Sequence, residues 1–260
     1  MAIDPVNPLK RIWAEGGTVF GLWAVVPGSF GVELMAGADI DYVCVDQQHG
    51  LIGYDAMLPM LQAIGAAGAA PVTRVLSGDP YRIMQSLDAG AWGVIVPMVD
   101  SAEEAASAVA ACRYPPRGTR SWGPIRASAV VSSRDPEVIA DAALCMVMVE
   151  TREGLERVEE IAATPGLDGI YVGPSDLALS LGLAPTLEVE EPGHAKAVER
   201  IREACHKSGI AAGIHSPSGE WARRHAEAGF DMVTVATDAA LLSAASTREA
   251  AAARGGGGYS

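Results

Sequence analysis

Lysine is scarce in this chain of 260 residues: Lys10, Lys196 and Lys207 are the only three, and none closes an apolar run. Schiff-base catalysis needs a desolvated lysine in the pocket, so lysine-dependent aldol chemistry is disfavoured. Aromatic residues are few, at 5%. The four cysteines, Cys44, Cys112, Cys145 and Cys205, lie far apart without a C-x-x-C pair. They read as packed thiols of a reduced protein rather than as a disulfide framework. No apolar run approaches the roughly 18 residues of a membrane span, and the opening MAIDPVNPLKRIW has no signal-peptide core. A cytoplasmic location is the expectation. Basic residues are outnumbered, 19 Lys+Arg against 32 Asp+Glu, for a formal charge of -13. An acidic chain repels phosphate backbones and anionic lipid, so neither nucleic acid nor membrane is expected as a partner. The P-loop, dinucleotide-binding and G-x-S-x-G signatures are all missing.

What is present is a repeated unit: a short β-rich apolar run, a turn, then a helical stretch ending on Gly. The runs fall at 18–26, 41–46, 71–76, 93–99, 144–150, 169–173, 210–214 and 231–236. They are Val/Ile-rich on successive positions, as expected of parallel strands buried on both faces. Helical patterns such as 54–68, 79–90, 101–113, 151–164, 194–209 and 219–229 separate them, several opening on Asp, Ser or Thr and several closing on Gly. Eight alternations at this length predict a single-domain (β/α)8 TIM barrel over 1–254, with a flexible Gly-rich tail at 255–260. The segment 113–135 interrupts the rhythm with five arginines and is expected to be a long loop.

In such a barrel the active site forms where strands end. Those ends supply Asp46, Gln48, His49, Arg74, Pro97, Glu150, Gly173, Pro174, Ser175, Asp176, His215, Thr237 and Asp238. Glu150 closes the fifth run and Asp176 follows the sixth, without clustered His or Cys, which suits a hard, oxygen-ligated cation such as Mg²⁺, with Mn²⁺ or Co²⁺ as substitutes. The alternative for Glu150 is a salt bridge to Arg152 or a cap on the next helix. Arg74, a permanent cation in a buried-strand pattern, suits an anion or a developing oxyanion; its alternative is a pair with Asp46. His49 can be a base, a ligand or a structural hydrogen-bonder, with Asp88 as a possible orienting carboxylate. The loops after the last two runs lack paired glycines for a phosphate, so an unphosphorylated substrate is expected.

The runs DYVCVDQQHG, PVTRV, LDAGAWGVIVPMVDSAEEA, RYPPRGTRSWGP, MVMVETREGLERVEEI, LDGIYVGPSDLALSLG and ATDAALL, in order over roughly residues 16–245, resemble the metal-dependent (class II) pyruvate aldolases of the HpcH/HpaI family. The resemblance implies a (β/α)8 barrel in homohexamers, trimers of dimers, that exchange C-terminal helices. It implies reversible cleavage of 4-hydroxy-2-oxo acids to pyruvate or hydroxypyruvate and an aldehyde, with a divalent metal and no organic cofactor. By position it implies Glu150 and Asp176 as metal ligands, Arg74 on the keto oxygen and enolate, and His49 with acidic partner Asp88 as the base system. It also implies Gly173, Pro174, Ser175 and Asp176 as the turn that receives the substrate carboxylate. This chain departs from the family pattern at Gln48, where many members carry an acid, and at Met148 and Ser175. His215 stands where relatives often carry an aliphatic residue near the aldehyde. Gln48 and His215 are therefore expected on the substrate. Two other readings are an acyl-CoA lyase of the malyl- or citramalyl-CoA type and a non-catalytic barrel that binds keto acids.

Overall fold

The computed structural model describes residues 7–255; the tail expected at 255–260 therefore lies outside it except for Gly255. Eight strands, β1 (Val19–Ala24), β2 (Tyr42–Asp46), β3 (Ala70–Arg74), β4 (Gly93–Val96), β5 (Leu144–Val149), β6 (Gly169–Val172), β7 (Ala211–His215) and β8 (Met232–Thr237), close into a barrel in chain order. Every pairing is parallel, including the closing one between β1 and β8. The expected (β/α)8 barrel is thus the observed fold. Strand residues are almost all buried, which is why they read as continuous apolar runs.

Helix α1 (Pro8–Ala14) precedes the barrel, and α2 (Ser29–Ala36), α3 (Tyr54–Ala67), α4 (Pro80–Asp88) and α5 (Ala102–Cys112) follow the first four strands. Two short helices, α6 (Ala127–Val131) and α7 (Pro136–Ala142), precede β5. After β5 come α8 (Arg152–Glu156) and α9 (Val158–Ala162), broken at Arg157 where the sequence suggests one helix. The remaining helices are α10 (Pro174–Ser180), α11 (Pro192–Lys207), α12 (Gly219–Glu227) and α13 (Asp238–Ala253). The caps follow the sequence signals: Asp79, Ser101, Thr151 and Ser218 each accept a first-turn amide, and Gly68 closes α3 with φ of 102°.

Inside the barrel, Tyr42 and Tyr171 share one acceptor-donor partner: their hydroxyls lie 2.8 and 2.6 Å from the Thr234 hydroxyl. Both rings fit because the strands offer no side chain opposite them. A Cβ on Gly21 would lie 2.4 Å from the Tyr42 ring, and one on Gly213 would lie 2.6 Å from Tyr171. The N-terminal end is shut by α1, whose Leu9 is wholly buried and whose cap residue Asn7 donates to Trp92 O and Ala142 O at 2.9 and 2.8 Å. The four cysteines are buried and free, as their spacing suggests.

The arginine-rich segment is pinned rather than open. Buried Arg113 donates to Ala140 O and Ala143 O, Arg120 binds Asp88, and Arg126 donates to Ala89 O. These arginines therefore staple the segment to the helical layer. At the other end of the barrel the strand termini are left to form the mouth.

Candidate active site

A cavity of about 210 Å³ opens at the C-terminal mouth, lined by residues from seven of the eight strand ends. Its acidic sector comes from β5 and β6. Glu150, directly after β5, is 1% exposed; its Oε1 accepts the Met98 amide at 2.9 Å, while Oε2 is buried without a partner. The donor residue Met98 sits at φ of 56°, a left-handed backbone costing an ordinary side chain about 1 kcal/mol. A strained amide is thus held where it fixes one carboxylate oxygen and leaves the other buried without a partner.

Asp176 approaches from the first turn of α10, half-buried, and also lines the cavity. Burial pushes the Glu150 carboxyl up to about 7, and the neighbouring Asp176 charge adds to this against the Met98 amide. A buried acid with a free oxygen beside a second acid is costly unless a cation lies between them. The turn leading to Asp176 is shaped by Glu150 itself: a Cβ on Gly173 would lie 2.2 Å from Glu150 Oε2. The alternatives for Glu150 are not realised, since α8 is capped by the Thr151 hydroxyl at 2.9 Å and Arg157, not Arg152, pairs with a nearby acid, Glu153. No group of three or more His, Cys, Asp or Glu is placed to hold a metal among the described residues. Two carboxylates fit a cation that completes its shell with water and substrate oxygens, the habit of Mg²⁺ rather than of zinc.

The second sector comes from β1 to β3. Arg74 ends β3 in register with Asp46 of β2. Its Nε donates to Asp46 Oδ1 at 2.9 Å and its Nη2 to Asp46 Oδ2. Asp46 also accepts the Trp23 indole N–H at 3.1 Å and the backbone amides of Gln48 and His49 at 2.9 and 3.2 Å. Burial alone raises a carboxyl, yet the Arg74 hydrogen bond and charge outweigh it and hold Asp46 below its ordinary value. The Trp23 ring lies under the guanidinium, 5.2 Å from its carbon. Arg74 is therefore paired with Asp46, as the alternative reading of the sequence had it, and also lines the cavity.

His49 is exposed at the rim and lines the cavity. His215, at the end of β7, lines it too, its ring meeting Trp23 edge-on at 5.1 Å and 86°. Burial first and the Arg74 charge second push the His215 imidazole down to about 4. Gly173, Pro174 and Ser175 line the same space, with Thr237, Tyr171, Met148, Val25 and Leu187 completing it.

Two expected residues stand apart. Asp88, at the C-terminus of α4, gives its carboxylate to Arg120 at 2.6 Å and lines a separate groove with Tyr54, Tyr81 and Arg126; one chain does not bring it to His49. Gln48 does not line the cavity, and its Oε1 is buried without a partner. Conversely, Trp23 and Thr237 were not among the residues expected on the substrate. Trp23 carried a usable signal, a rare aromatic near the end of the first strand. The three lysines lie on α1 and α11, none in the cavity.

The sequence model of the HpcH/HpaI aldolase/citrate lyase family matches residues 20–245. A hydroxypyruvate/pyruvate aldolase of Rhizorhabdus wittichii is 41% identical over 93% of this chain and 96% of its own length. A 4-hydroxy-2-oxo-heptane-1,7-dioate aldolase of Salmonella typhimurium is 37% identical over 91% and 90%. Among solved structures, an HpcH/HpaI aldolase/citrate lyase family protein from Burkholderia cenocepacia superposes with a TM-score of 0.88 at 33% identity, covering 96% of this chain and all of that one.

Proposed function

The chain belongs to the HpcH/HpaI aldolase/citrate lyase family, enzymes of carbon–carbon bond cleavage, and from that premise we propose that it reversibly cleaves 4-hydroxy-2-oxo acids to pyruvate, or hydroxypyruvate, and an aldehyde with the help of a divalent metal. The observation that carries this reading is the pairing, in one cavity, of a buried, half-unpartnered Glu150 beside Asp176 with an Arg74 held rigidly by Asp46. The names of relatives at 37–41% identity, which are aldolases, favour it over an acyl-CoA lyase and over a non-catalytic barrel.

Glu150 and Asp176 would hold the metal, Mg²⁺ by donor chemistry or Mn²⁺ or Co²⁺ in its place, which when bound supplies Lewis-acid polarisation of the 2-oxo acid carbonyl. The turn Gly173–Pro174–Ser175–Asp176 receives the substrate carboxylate. Arg74 points its guanidinium at the keto oxygen and takes up the negative charge that grows there. Its orientation is fixed before substrate arrives, because Asp46 anchors two of its nitrogens. His49, through water, takes the proton of the C4 hydroxyl. The C3–C4 bond then breaks: C4 becomes the aldehyde carbonyl, and the electron pair passes to the enolate whose oxygen Arg74 stabilises. Return of the proton to C3 gives the 2-oxo acid product, and the reverse sequence makes the aldol bond.

Two further features belong to this reading. No helix among the described residues is long and apolar enough to cross a membrane, in keeping with a cytoplasmic enzyme acting on small acids. Helix α13 has no buried residue, with Leu241 and Leu242 at 47% and 64% exposure, near-bare apolar surface that suits a homo-oligomer packed through its C-terminal helices.

The test is cleavage of 4-hydroxy-2-oxopentanoate followed by NMR, before and after chelation and after restoring Mg²⁺ or Mn²⁺. Pyruvate and acetaldehyde should form in equal amounts only with metal. Intact substrate under every metal would refute the reading.

A further inference from the structure

The cavity's charges do not favour every partner equally. Among its lining residues Arg74 is the only arginine or lysine, against three acids, Asp46, Glu150 and Asp176. Arg74 is already bonded to Asp46 through two nitrogens. A divalent cation between Glu150 and Asp176 neutralises those two, and the carboxylate of the 2-oxo acid returns the site to net negative. Among the described residues that line this cavity no arginine or lysine then remains for a second carboxylate, and a like charge brought into a confined site is repelled.

The same wall carries a polar group without a protein partner. His215 makes no side-chain hydrogen bond among the described residues, yet its ring nitrogens are not sealed in the core like those of His194. The ring is half-buried on the β7 rim, and the edge contact with Trp23 fixes its plane. Trp23 is in turn locked by its hydrogen bond to Asp46. Burial and the nearby Arg74 charge favour the neutral imidazole. A neutral imidazole has one donor and one acceptor nitrogen. A hydroxyl can serve either nitrogen, whereas a carboxylate can only accept and a methyl group can do neither. Substrate that covers this ring without bonding it strands a desolvated polar atom.

We propose that His215 is a specificity-determining residue that hydrogen-bonds a neutral hydroxyl of the reactants, so that the cavity takes hydroxylated, uncharged partners in preference to carboxylated ones. The inference rests on the aldol reading above and names the substrate class of the same site. The hydroxyl belongs either to the 2-oxo acid, as in hydroxypyruvate, or to the aldehyde, as in glycolaldehyde.

Aldol addition by the full-length, metal-loaded enzyme separates these sources. The measured quantities are two ratios of kcat/KM: hydroxypyruvate over pyruvate with one aldehyde, and glycolaldehyde over propionaldehyde with one donor. In His215→Leu at least one ratio should fall about tenfold, the cost of leaving a hydroxyl unpaired. The ratio that falls identifies the reactant whose hydroxyl is bound. His215→Asn, which keeps a donor and an acceptor, should restore that ratio to within about threefold of wild type. Wild-type enzyme should also turn over succinic semialdehyde more slowly than butyraldehyde.

Both ratios unchanged in His215→Leu, a fall that His215→Asn does not repair, or a preference for succinic semialdehyde would overturn the proposal. Each of those results leaves the aldol reading standing, provided wild-type enzyme cleaves 4-hydroxy-2-oxopentanoate. Failure of that cleavage removes both.

Discussion

Asp46 does more at this site than its place in the sequence suggested. It lies 1% exposed at the end of β2 and accepts from Arg74, Trp23 and two backbone amides at once. Removing one member of a buried pair strands the other charge, which typically costs 3–5 kcal/mol. Asp46→Asn keeps the shape and one acceptor oxygen but loses the bidentate anchor and the charge. It should lower stability by about 3 kcal/mol in urea denaturation and reduce cleavage about 100-fold, because Arg74 is no longer held at the keto oxygen. Full activity in this variant would mean that Arg74 finds its place without Asp46. Arg74 itself was legible as a residue of the mouth, since a permanent charge at the end of a buried strand needs a partner, and it does line the cavity. The Asp46 partnership was legible only as an alternative, because register across two strands decides which neighbours meet.

At the scale of elements, the acidic sector is a joint product of the end of β5, the β6–α10 turn and the segment after β4. Gly173 lies between them, and its value is space: its φ of -97° is open to any residue, but a Cβ there would collide with Glu150 Oε2. Gly173→Ala should therefore weaken Mn²⁺ binding at least tenfold, read by electron paramagnetic resonance titration, while far-ultraviolet circular dichroism stays that of the barrel. Unchanged Mn²⁺ affinity would show that Glu150 Oε2 does not face the metal.

The eight strands were readable because burial on both faces leaves continuous Val/Ile runs, and caps and glycines marked the helix ends. The break between α8 and α9 was not, since the helical period runs through it; nor were the short α6 and α7. Glu150, Asp176, Arg74, His49 and His215 could be gathered from strand ends because the barrel brings all strand ends to one mouth. Asp88 could not be placed that way. It sits on a helix, whose end faces whatever packs there, and here that is Arg120.

At the scale of the whole molecule, the acidic excess is mostly solvated helix surface. Pairs such as Arg223–Glu227 and Arg224–Glu220 are exposed and worth a few tenths of a kcal/mol. Acid sensitivity should come instead from buried histidines. His225 is 6% exposed between Trp221 and Phe230, and burial pushes it down to about 4. The unfolded chain takes up that proton near pH 6.5, well before the folded one. The stabilisation is therefore complete above about pH 6.5 and is lost as pH falls toward 4, to the extent of about 3 kcal/mol for this residue. Urea denaturation at pH 7.5 and 4.5 should show that loss in wild type and a smaller one in His225→Phe; equal losses would contradict the assignment.

The central claim, that one cavity couples a two-carboxylate metal site to an arginine-stabilised enolate, is tested most directly by deuterium exchange at C3 of pyruvate in D₂O, with no aldehyde present. The account predicts exchange in metal-loaded wild-type enzyme, its loss on chelation, its return with Mg²⁺ or Mn²⁺, and almost none in a folded Arg74→Ala variant. Exchange that survives chelation, or that proceeds at the wild-type rate in Arg74→Ala, would contradict it.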